Sequence, residues 1–201
     1  IRLYTFWGII AFLFFHHGYG YFGHYGFDDI MGYGFYAKKW ADGHLFYIND
    51  DFFSYRWGFI ALTGLSYVLF GMSDASSAVV PSLVLLATVL LLFHNLKDQR
   101  RIIAVTAALL LVLDNWTLYY ADKLMPDTLV ALMVFAAFSV VYNFRYFGEG
   151  KNAIRYAFLL SFVLFVGYLT KQSILLLFPV FFILFVLDII QGKYQKFWLF
   201  T

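Results

Sequence analysis

The sequence predicts an all-α, polytopic transmembrane helical bundle. Three observations carry this. Hydrophobic residues make up 63% of the 201, and charged residues only 13%, where a soluble domain carries about 25%. Mean hydropathy is +0.76. The apolar residues lie in long blocks, as spans of a bilayer require. So few charges do not cover a water-facing surface, which argues against a soluble enzyme, a nucleic-acid-binding module and a disordered chain. The net charge of +2 is too small to imply a polyanionic partner, so the bilayer is the expected partner and nucleic acid is not. There is no cysteine, hence no disulfide and no thiolate metal site. The chain opens at Ile1 and closes on Phe197-Trp198-Leu199-Phe200-Thr201, which reads like the start of another apolar segment. Residues 1–201 are therefore read as a single transmembrane domain, the N-terminal part of a longer protein.

About six spans are expected. The first is 3–17: no Lys, Arg, Asp or Glu stands between Arg2 and Asp28, and no small-residue cleavage site marks a signal peptide. A glycine- and aromatic-rich stretch follows to Arg56, holding Asp28, Asp29, Lys38, Lys39, Asp42, Asp50 and Asp51. The apolar run 57–70 would make about 21 Å of helix, short for a crossing. Further spans are expected at 75–96, 102–120, 128–142, 156–170 and 173–190, with a basic loop at 97–101, a polar segment ending at Asp127 and a loop at 143–155.

The run 57–70 decides the topology. If it lies at the interface as a juxtamembrane helix, an external loop with juxtamembrane elements covers about 18–74. Nine of the fourteen basic residues then share one side, and nine of the twelve acids the other. The positive-inside rule places the aspartates outside. If it crosses, eleven basic residues become cytoplasmic, but the acids of 18–56 part from Asp122, Asp127 and Lys171. Segment length favours the first arrangement.

Several residues suit chemistry at an interface. Asp28 and Asp29 are adjacent carboxylates beside Tyr25, Phe27 and Tyr33. Near a low-dielectric boundary such a pair repels, which raises a pKa toward that of a general base; a solvated acidic pair is the plain alternative. Asp114 lies twelve residues past the start of its span: either a carboxylate held in the bilayer, or a cap where the helix stops near Leu113. Asp122, Lys123 and Asp127 form a third group, in which Pro126 and Asp127 also read as a helix start. Lys171, in Leu169-Thr170-Lys171-Gln172, is an interfacial ammonium suited to a lipid-linked phosphate or to snorkelling. Arg56 has the same two readings. The five histidines show no metal spacing, so no metal ligand is assigned. Tyr and Trp near span ends read as an interfacial belt.

The order of these pieces resembles a known family. It runs through Phe27-Asp28-Asp29-Ile30-Met31-Gly32-Tyr33, Lys39-Trp40-Ala41-Asp42-Gly43, Tyr55-Arg56-Trp57-Gly58, Leu69-Phe70-Gly71, Tyr120-Ala121, Pro126-Asp127-Thr128-Leu129 and Leu169-Thr170-Lys171. It is similar to the N-terminal half of the C-type membrane glycosyltransferases, in particular the protein O-mannosyltransferase and aminoarabinose-transferase superfamily (glycosyltransferase family 39). The resemblance implies a GT-C-like fold and transfer of a sugar from a polyprenyl-phosphate carrier to a lipid, glycan or protein acceptor. It implies a bacterial inner membrane, with the site facing the periplasm or exterior. Asp28 or Asp29 corresponds to the general base, Asp122 or Asp127 to a second acid, Lys171 to the carrier-phosphate ligand and Arg56 to a further cation. No cofactor is assigned, and a divalent cation stays open. The chain departs from the family in having Gln172-Ser173 where many members have Gly-Pro, and Ser54-Tyr55 where members carry prolines. A non-catalytic membrane scaffold subunit is the alternative function, and a transporter with Asp114 and Asp127 on an ion path a further one.

Overall fold

The computed structural model describes residues 32–45, 47–49, 51–96, 99, 101–121, 123–147 and 151–190, with Tyr4, Trp7, Gly8 and Ala11. The expected first span, beyond those four positions, and Asp28, Asp29 and Asp122 lie outside the described residues. Among the described residues the chain is all-helical, without strands. The helices are α1 (Phe35–Ala41), α2 (Trp57–Phe70), α3 (Asp74–Asn95), α4 (Arg101–Leu113), α5 (Asn115–Tyr120), α6 (Asp127–Phe147), α7 (Lys151–Thr170) and α8 (Leu177–Ile190); a 3-10 turn (Gln172–Leu176) leads into α8. Among the described residues three segments are long and apolar enough to cross a membrane: Asp74–Asn95, Asp127–Phe144 and Gln172–Ile190. Trp57–Phe70, Ile102–Leu113 and Ile154–Thr170 are apolar but shorter.

Local chemistry sets the boundaries. Ser73 caps α3 in a reciprocal capping box with Ser76, which satisfies two otherwise orphaned N–H groups. Gly71, at φ 75°, ends α2 in a backbone conformation that a side chain would strain. The expected single helix over 102–120 is two helices. Asp114 accepts from the Thr117 N–H at 2.8 Å and the Thr117 hydroxyl at 2.9 Å, so its carboxylate starts α5 rather than sitting inside a continuous span. Within the expected loop at 143–155 the described residues are helical, in Asp127–Phe147 and Lys151–Thr170, although the apolar pattern stops there.

Polar side chains within the apolar helices bond the carbonyl one turn back. Thr88 donates to Val84, Ser139 to Phe135 and Thr170 to Val166. Such internal bonds keep hydroxyls satisfied where water is absent.

Helix order along the bundle follows from cross-helix contacts. The Ser82 hydroxyl donates to the Ala121 carbonyl at 3.2 Å, and the Asn95 amide to the Ser139 hydroxyl at 2.6 Å. Helices α3 and α6 therefore run parallel, and α7 returns antiparallel to α6. Apolar packing joins them: Phe59, Val80, Val84, Leu124 and Leu129 form one cluster, and Ala137, Val163, Ile174 and Leu177 another. The start of α2 abuts the end of α7, since a Cβ at Gly58 would lie 2.6 Å from the Thr170 hydroxyl. Its end bonds the first turn of α3, through Ser66 to the Ser76 carbonyl and Tyr67 to Ser77. Both ends of α2 thus lie at the end of the bundle where α3 and α6 begin.

Candidate functional site

That end of the bundle gathers three residues far apart in sequence. Asp127 is the first residue of α6, Lys171 follows the last residue of α7, and Arg56 precedes α2. Each position has a local cause. Pro126 is buried, and its carbonyl accepts from the Val130 N–H, so α6 starts with Asp127 in its first turn, where the helix dipole favours an anion. Lys171 breaks the helical run with extended backbone at φ −162° and ψ 127°. Its N–H donates to the Gly167 carbonyl and its carbonyl accepts from Ile174. Arg56 is placed by the Gly58–Thr170 approach two residues later.

The side chains meet. Lys171 Nζ lies 2.7 Å from Asp127 Oδ1, and the pair is about one-third to two-fifths exposed. The other Asp127 oxygen makes no hydrogen bond among the described residues. The Arg56 guanidinium lies over Phe52 at 4.9 Å and Tyr33 at 5.4 Å. Burial lowers its pKa, and the nearby Asp127 charge pulls it back up. Two cations and one carboxylate thus share one half-buried end, which leaves one positive charge for an anion. Stacking fixes the guanidinium in place, while Lys171 can exchange Asp127 for a stronger anionic partner.

Of the residues singled out from the sequence, the structure brings together Asp127, Lys171 and Arg56. Asp114, held low in pKa by the Thr117 N–H and hydroxyl, is a helix cap outside this group. Lys123 is buried, with its ammonium 5.1 Å from the Tyr119 ring centre. Among the described residues no three His, Asp or Glu side chains gather as metal ligands would.

Other features escaped sequence reasoning. Phe52, which flanks Arg56 together with Tyr33, carried no signal beyond its place in an aromatic-rich stretch, and Tyr33 was read beside Asp28 and Asp29 rather than beside Arg56. Asp188, in α8, is buried; an acid within a long apolar run was a readable sign. A cavity of about 180 Å³ lies beside Asp127, between α3, α4, α5 and α6. Compared with protein-family models, curated proteins and solved structures, the chain matches none.

Proposed function

We propose that this chain is the donor-binding half of a membrane glycosyltransferase that uses a polyprenyl-phosphate sugar. The observation that carries the reading is the convergence of Lys171, Arg56 and Asp127 at the bundle end where α2 folds back. A lipid carrier brings its phosphate to the membrane surface, so the cations that receive it belong at an interfacial end. There they are only partly hydrated, which strengthens their pull on an anion. The placement of both ends of α2 at this same end supports a juxtamembrane rather than a crossing helix, and so a shared external face for 18–74, Asp127 and Lys171. About six spans in a GT-C-like arrangement belong to this proposal.

The acceptor hydroxyl or amine attacks the anomeric carbon while the bond from that carbon to the phosphate oxygen breaks. The electron pair leaves with the polyprenyl phosphate, whose charge Lys171 and Arg56 neutralise. The acceptor proton passes to a carboxylate base, for which Asp28 or Asp29 is proposed on the family resemblance. Asp127 holds Lys171 in position when no phosphate is present.

The scaffold reading is favoured by one observation: Lys171 is already paired, as a purely structural lysine would be. Transfer of radiolabelled sugar from polyprenyl-phosphate donors, by the full parent protein in membranes, separates the two. We expect transfer to fall about hundredfold in Lys171→Ala, less in Arg56→Ala, and to collapse in Asp28→Asn or Asp29→Asn. Transfer absent with every donor would leave the scaffold; transfer unchanged in all four variants would keep the enzyme and overturn these site residues.

A further inference from the structure

The cavity beside Asp127 has the features of a binding site in its own right. Leu85, Leu111 and Ala131 contribute apolar wall, and Trp116, 68% exposed, stands at its rim. Asp127 is the charged residue of the same lining. Asp127 engages Lys171 through one oxygen only. Thr128 also lines the cavity, but its hydroxyl is sealed from water and does not face the space. An enclosed cavity of about 150 Å³ admits a guest the size of benzene; this one has comparable room and opens to the surface. Pockets that combine apolar walls with a few convergent polar groups are the usual form of a small-molecule site.

We infer that this cavity binds a small apolar alcohol, with a body the size of one ring and a hydroxyl that donates to Asp127. The chemistry selects this class. The walls reject a free sugar, whose several hydroxyls would go unsatisfied. The carboxylate, paired with an ammonium, accepts a hydrogen bond and repels a second anion. Entry past Trp116 suits a ligand that partitions into the bilayer. This site goes beyond the sugar-transfer reading and does not depend on it.

Trp116 supplies the readout. The full chain in lipid nanodiscs is titrated with 4-bromophenol, a heavy-atom quencher carrying a hydroxyl, and separately with 4-bromotoluene, which lacks it. Concentrations are counted in the bilayer phase, and the signal of Trp116→Phe is subtracted. We expect saturable quenching by bromophenol at about one-fifth or less of the bromotoluene concentration, since a site built for a hydroxyl discriminates against its absence. In Asp127→Ala the preference should fall below about twofold, and in Ala131→Phe saturation should disappear. Equal or non-saturable quenching by the two probes in the unmutated chain overturns the inference without help from any variant. Persistence of the preference in Asp127→Ala also overturns it. Loss of sugar transfer alone would bear on the function and leave this site standing.

Discussion

A lysine ammonium at the end of an apolar helix must find water, a carboxylate or a ligand. Lys171 finds Asp127, 44 positions earlier in the chain. Each of the two was legible alone: one as a charge between apolar runs, the other as an acid after proline. Their meeting was not, because it depends on how α6 and α7 pair. A second residue-scale contact lies in the 18–56 stretch. The Tyr36 hydroxyl donates to Asp51 Oδ2. Burial, and then the Asp51 hydrogen bond and charge, push its pKa up to about 12. The folded state therefore holds this proton more tightly than the unfolded state, so the contribution is complete below the ordinary tyrosine pKa of about 10. It fades between about 10 and 12, as unfolding comes to release a proton. Tyr36→Phe should cost about 1 kcal/mol at pH 8, read by thermal unfolding, and the difference from the unmutated chain should shrink at pH 11. A gap that widens with pH would mean that Asp51 is not the partner that matters.

Helices were the most legible level, because long apolar blocks leave the backbone no partner but itself. Their ends were less so. A block of apolar residues does not reveal where a carboxylate will capture the next turn's N–H. Asp114 therefore splits the stretch expected as one span, and Asp114→Ala should lower the helical signal and thermal midpoint, with Asp114→Asn restoring most of it. Helix α1 was hidden inside a stretch whose glycines and charges read as loop. The contact between α2 and α7 is the element-scale device that builds the site. Gly58 has room for no side chain, with the Thr170 hydroxyl at 2.6 Å and backbone atoms at 3.2 Å from an added Cβ. Gly58→Val should destabilise the protein by about 1–3 kcal/mol. It should also raise the KM for a polyprenyl-phosphate donor more than it lowers kcat, because it parts Arg56 from Lys171. If donor KM holds while stability falls, Arg56 does not share the donor site.

At the scale of the whole molecule, the sequence left one question balanced between two arguments. Counting lysines and arginines favours a crossing by 57–70, and length opposes it. Packing adds what neither could: α2 starts beside the end of α7 and finishes beside the start of α3, and these are one end of the bundle. A rod about 21 Å long whose two ends sit at the same end of its neighbours lies across them. If the bilayer follows the parallel axes of α3 and α6, residues on both sides of α2 face the same compartment. The absence of native cysteine makes this directly readable. Single cysteines at His44, Met72 and Gln172, all exposed, should react with a membrane-impermeant maleimide in intact cells, whereas one at Gln99 should react only after the membrane is opened. A crossing α2 predicts a different split, with His44→Cys protected like Gln99→Cys while Met72→Cys and Gln172→Cys react from outside. That result would place Arg56 across the membrane from Lys171 and dissolve the site, since a phosphate cannot be held by two cations on opposite faces.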